Sequence, residues 1–65
     1  MDIVVNGKTK KVDENITVEE LLTIEGYSHW VGVWVNNKQL LQREYPNYII
    51  KEKDIINIVR PLGGG

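Results

Sequence analysis

The chain has 65 residues, 42% of them hydrophobic and 26% charged, with a formal net charge of −1 and no cysteine. A chain of this length makes one domain that hides about 60% of the surface its unfolded form exposes, which leaves little room for a deep catalytic cleft. The charge balance gives no field to gather nucleic acid, and the lack of cysteine excludes a disulfide framework, a thiolate nucleophile and a zinc–sulfur site, as suits a cytoplasmic protein.

Met1, Ile3 and Val5 alternate with Asp2, Val4 and Asn6, the period-2 pattern of a strand with one buried face. Asn6-Gly7 tolerates positive φ at both centres of a tight turn, so Lys8–Val12 is expected to return as a second strand, with Asn6-Gly7 having a turn role only. Lys8, Lys10 and Lys11 read as a sheet edge defended against aggregation. Thr17-Val18-Glu19-Glu20 fits a capping box: the Thr17 hydroxyl accepts the Glu20 N–H while the Glu20 carboxylate reaches back. Val18, Leu21 and Leu22 follow at helical spacing and Gly26 offers a stop, which predicts a helix over 18–25. Glu19, Glu20 and Glu25 then form a capping and solvated face rather than a catalytic pair. His29 has neither a second ligand nor a paired nucleophile and reads as a surface or turn residue.

Trp30–Val35 is β-branched and aromatic and reads as a third strand ending at Asn36-Asn37, with Lys38–Leu41 a short continuation after the turn. Arg43-Glu44 reads as a structural ion pair or as part of a partner-contacting loop. Tyr45-Pro46-Asn47-Tyr48 reads as irregular structure, because Pro46 has no amide donor and restrains the residue before it. Asp54–Val59 is the last strand, with Ile56 and Ile58 on one face and Ile55, Asn57 and Val59 on the other; Pro61 ends its pairing and Gly63–Gly65 follow. No apolar run approaches the roughly 18 residues of a membrane span. A hairpin, a crossover helix and further strands give an α+β domain with the helix across one face of the sheet.

If Met1, Ile3, Val5, Val33, Val35, Ile56 and Ile58 face that helix, alternation turns Val4, Trp34 and Val59 to the other side, with Trp30 and Gly32 sharing the parity of Trp34. An apolar cluster with an aromatic centre predicts a protein-binding face, and Arg60 stands where strand becomes tail. Val4, Trp34, Val59 and Arg60 are the expected partner-binding residues. No metal ligands are expected.

The helix start "TVEELL" (Thr17–Leu22), the strand "VWVNNKQL" (Val33–Leu40), the "RE" of Arg43-Glu44 and the closing "KDIINIVRPLGGG" (Lys53–Gly65) together resemble the ThiS/MoaD-like β-grasp sulfur carriers, over essentially the whole chain. The short length and the "RE" before an aromatic residue place it nearest the thiamin-biosynthesis branch; Gln42 stands where that branch often has proline. The resemblance implies a ubiquitin-like β-grasp domain over residues 1–62, with a mixed sheet of four to five strands, and a flexible glycine tail over residues 63–65. It also implies a role. An adenylating enzyme of the ThiF or MoeB type uses ATP to convert the Gly65 carboxylate to an acyl adenylate. A sulfur donor such as a cysteine desulfurase then supplies the sulfur of a thiocarboxylate, which a thiazole synthase of the ThiG type consumes. On this reading the chain binds no cofactor itself and is a protein cosubstrate rather than an enzyme.

The tail chemistry has physical reasons. A carboxylate is a poor electrophile until covalent activation supplies a leaving group. Extended, Leu62–Gly65 spans roughly 13–14 Å, enough to thread into a partner's site, and Gly63 and Gly64 have no Cβ to obstruct the passage. Three other readings stay open on sequence: a molybdopterin-type carrier, a ubiquitin-like protein modifier joined to lysine amines, and a plain interaction module.

Overall fold

The structure, a computed structural model, describes residues 1–61; the expectations placed on Gly63, Gly64 and Gly65 lie outside the described residues. The chain runs β1 (Asp2–Val5), β2 (Lys8–Lys11), α1 (Val18–Glu25), β3 (Gly32–Val35), β4 (Lys38–Gln39), a 3-10 turn (Gln42–Glu44) and β5 (Ile55–Val59). Both hairpins close through two residues at positive φ, Asn6 and Gly7 at 49° and 83°, Asn36 and Asn37 at 51° and 70°. That backbone suits the twist of the strands it joins, and asparagine and glycine are the residues that adopt it at least cost.

All four N–H groups left over at the start of α1 are satisfied. The Thr17 hydroxyl accepts from Glu20 N at 3.1 Å and the Glu20 carboxylate accepts from Thr17 N at 2.9 Å, which is the expected capping box. Val18 N and Glu19 N donate to Tyr48 O and Tyr45 O, and Leu21 N to Thr17 O, each at 3.0 Å. The helix start is therefore closed by the distant 45–48 segment. At the other end Gly26, at φ 81°, donates to Thr23 O while Tyr27 N donates to Leu22 O, a left-handed cap that stops the helix where the sequence predicts.

The sheet order is β2-β1-β5-β3-β4, with β1 parallel to β5 and the other pairs antiparallel. The last strand in the sequence is thus the central strand in space, and it brings the chain to Arg60-Pro61 at the middle of the sheet. One face carries Ile3, Val5, Val33, Val35, Ile56 and Ile58 against Val18, Leu21 and Leu22 of the helix, with Met1 half-buried beside them. This is the β-grasp arrangement, with five strands and one α-helix among the described residues.

Several local expectations change. Trp30 is not in a strand: β3 begins at Gly32. Continuing the β3·β5 register, in which Gly32 faces Val59, would set Trp30 against Pro61, which has no N–H to give. The second, fourth and last strands are each shorter than expected, because Val12, Leu40 and Asp54 lie just beyond the paired residues. Arg43-Glu44 is not an ion pair. The Glu44 carboxylate turns back to accept from Leu41 N at 2.8 Å, and the ion pairs among the described residues are Lys10–Glu25 and Lys11–Asp2. The Lys11 ammonium, by hydrogen bond and charge, holds the exposed Asp2 carboxyl below its usual range. The 45–48 segment is irregular, as expected, but Tyr45 is a core residue, 2% exposed. Asn6 has more than a turn role: its Oδ1 accepts the Ile58 N–H at 2.7 Å and its N–H donates to Ile56 O, extending the β1·β5 ladder past its last strand residue. Among the described residues no helix is long and apolar enough to cross a membrane, and no cluster of side chains could hold a metal ion.

Candidate functional site

Arg60 and Pro61 leave β5 at the rim of a shallow groove of about 500 Å³ on the sheet face opposite the helix. Trp30, Trp34, Leu41 and Val59 contribute to its apolar lining, and Arg60 borders it where the chain leaves β5, its guanidinium turned to the Tyr27 ring outside the groove. Val59 is 52% exposed, Leu41 53% and Trp30 68%. Large apolar side chains this open to water suit contact with a protein surface more than enclosure of a small molecule.

Each wall has a local cause. Trp34 faces Asn57 on β5 and Gln39 on β4, so alternation points it away from the core. Its indole folds back along β3 over Gly32, where an added Cβ would stand 2.8 Å from the ring. Glycine at 32, the residue paired with Val59, thus leaves the room that the Trp34 ring occupies. Trp30 is presented by the 28–31 loop, pinned in three places. Ser28 Oγ accepts from Trp30 N at 3.3 Å, the Gln42 side-chain amide donates to His29 O at 2.7 Å, and the Tyr45 hydroxyl donates to Val31 O at 2.7 Å. Gln42, the departure from the thiamin-branch pattern, therefore ties the 3-10 turn to this loop through an amide that proline does not have. The exposed His29 ring lies 5.4 Å from that of Trp30, and His29 belongs to no cluster of three or more potential metal ligands among the described residues.

The four expected partner-binding residues separate into two places. Trp34, Val59 and Arg60 line the groove together. Val4 does not: it pairs with Thr9 and Ile55 and lines a second hollow with Asp2 and Lys53. Ile55 and Val59 stand four residue steps, about 13 Å, apart along β5. Trp30 shares the groove from a loop rather than by strand parity, and Leu41 joins it without any signal in the strand pattern. The tail residues Gly63, Gly64 and Gly65 lie outside the described residues.

One consequence can be read directly. Gly32→Ala should push the indole off its seat while leaving the core untouched. The near-UV circular dichroism of the tryptophans should change, with stability held within about 1 kcal/mol. An unchanged near-UV spectrum would show that the ring does not rest there.

The chain's relatives accord with this geometry. The model of the ThiS family matches residues 3–65. The chain is similar to the crystal structure of the thiamine biosynthesis protein ThiS from Geobacter metallireducens, at 30% identity and a TM-score of 0.85, with both chains covered completely. It is likewise similar to the solution structure of a thiamine biosynthesis protein from the same organism, at 30% identity and a TM-score of 0.80, covering all of this chain and 88% of the other. Comparison with curated proteins gives no significant match.

Proposed function

Because this chain belongs to the ThiS family, we propose that it is a sulfur carrier of thiamin biosynthesis, a protein cosubstrate whose Gly65 carboxylate is the reacting group. A partner adenylating enzyme joins that carboxylate to AMP from ATP, releasing pyrophosphate. The terminal sulfur of a donor persulfide then displaces AMP to form an acyl disulfide. A partner thiol attacks the donor-side sulfur so that the thiocarboxylate leaves as a new disulfide forms, and a thiazole synthase takes the sulfur. The observation that carries the reading is the reach of the family match over residues 3–65, glycines included, on a fold whose central strand brings the chain to Arg60-Pro61 beside an exposed aromatic groove.

On this reading the partners supply the activating chemistry and this chain supplies the electrophile at its C-terminal carboxylate. The groove, with Trp34 as its anchor and Trp30, Leu41, Val59 and Arg60 around it, is the surface by which the adenylating enzyme holds the body while the tail enters its site. Removing Gly65, or converting its carboxylate to an amide, should abolish ATP–pyrophosphate exchange by a ThiS-family activator without altering the fold. Exchange that persists in the amide would defeat this reading. Delivery of sulfur to a thiazole synthase but not to a molybdopterin synthase would set the branch.

A further inference from the structure

Arg60 is the residue at which β5 becomes the tail, and its guanidinium carbon lies 4.6 Å from the centroid of the Tyr27 ring. That is inside the roughly 6 Å at which an aromatic face holds a cation. Tyr27 is itself fixed from three directions. Its N–H donates to Leu22 O at 2.8 Å as part of the helix cap, its ring packs against the core, and its hydroxyl accepts from Asn6 Nδ2 at 3.3 Å. Asn6 is in turn held to β5 by the bond its Oδ1 accepts from Ile58 N. A closed circuit therefore runs from β5 through Asn6 and Tyr27 back to Arg60, two residues beyond Ile58. Asn6 and Arg60 are both exposed, so neither contact is needed to bury apolar surface.

We propose that Tyr27 is a positioning residue for the tail: by holding Arg60 it fixes the direction in which the chain leaves β5 at the groove. The role in transfer rests on the carrier reading above. A partner that must thread the tail into its own site has less ordering to impose if the exit residue is already held. Such a contribution is made on binding, so its loss should raise the KM for the carrier and leave kcat unchanged. A surface cation–aromatic contact corresponds to a change of about two- to fivefold.

The test uses the full chain. Tyr27→Leu keeps apolar packing but removes the aromatic face, while Tyr27→Phe keeps the face and removes only the hydroxyl. In the isolated protein the Arg60 Hδ protons should be shielded by the ring in the parent and in Tyr27→Phe, and return to ordinary shifts in Tyr27→Leu. In adenylation assays Tyr27→Leu should raise the KM about two- to fivefold at constant kcat, with Tyr27→Phe near the parent. Should Tyr27→Leu fail to fold, Tyr27→Met keeps more apolar volume while removing the aromatic face and should give the same lost shielding and the same KM rise. Arg60 shifts that are equal in parent and Tyr27→Leu would show that there is no clasp. Lost shielding with an unchanged KM would overturn its role in positioning alone. A parent chain that no family activator adenylates would overturn the carrier reading, and the role in transfer with it, whatever the Arg60 shifts show.

Discussion

Tyr45→Ala is expected to leave the domain largely unfolded at 25 °C. Tyr45 is 2% exposed within the core, and its hydroxyl donates to the Val31 carbonyl at 2.7 Å. Emptying such a site costs about 3–5 kcal/mol, and a core of this size rarely supplies more than that in total. The backbone carbonyl of Tyr45 also accepts from Glu19 N, so collapse of the segment would loosen the start of α1. Tyr45→Phe separates the parts: it keeps the ring but leaves the Val31 carbonyl without its donor, at a cost of about 1–3 kcal/mol. Urea unfolding followed by far-UV circular dichroism measures both. A Tyr45→Ala midpoint close to the parent's would contradict the packing described.

The same residue sets an alkaline limit. Burial pushes the Tyr45 hydroxyl above its ordinary range. The unfolded chain therefore gives up this proton first, and Tyr45's contribution is complete below about pH 10. It is lost as pH rises from there through the higher folded value. Tyr45→Phe should lack this component of the alkaline loss.

Trp34→Ala should produce the largest functional loss that leaves the fold intact. The indole lies on the sheet face away from the helix, seated over Gly32 and lining the groove beside Val59 and Arg60. Buried aromatic anchors at the centre of an interface are worth about 2 kcal/mol or more on truncation, roughly thirtyfold in affinity. Titration against a ThiS-family adenylating enzyme should show that weakening, with a thermal midpoint near the parent's. Undiminished affinity, or an unfolded variant, would each remove Trp34 from the role of anchor.

The parts of this molecule legible in the sequence are those determined by near neighbours. Thr17 and Glu20 cap a helix within one turn, Gly26 ends it, and Asn-Gly and Asn-Asn turns set two hairpins, so the helix matches residue for residue and the hairpins differ only at strand ends. Alternation likewise placed Trp34 and Val59 outside the core. What stayed hidden depends on contacts far apart along the chain. Pro46 signals irregular backbone but not that Tyr45 turns inward to Val31. The second use of Asn6 needs Ile58, on a strand whose neighbour was not evident from pattern alone. Trp30 leaves the sheet because of what would lie opposite it, and Leu41 reaches the groove through the turn that Glu44 closes. Parity alone grouped Val4 with Val59, whereas the register separates them along β5.

The central claim is that the reacting group of this protein is the carboxylate of Gly65 and that the folded body serves to present it. Intact-mass measurement after incubation with ATP, a ThiS-family adenylating enzyme, a persulfide donor and a thiol reductant tests this directly. The account predicts exchange of one oxygen for one sulfur, localised to Gly65 by fragmentation and absent without ATP. Sulfur found on any other residue, or a mass unchanged while the same enzyme activates another ThiS-family carrier, would contradict it.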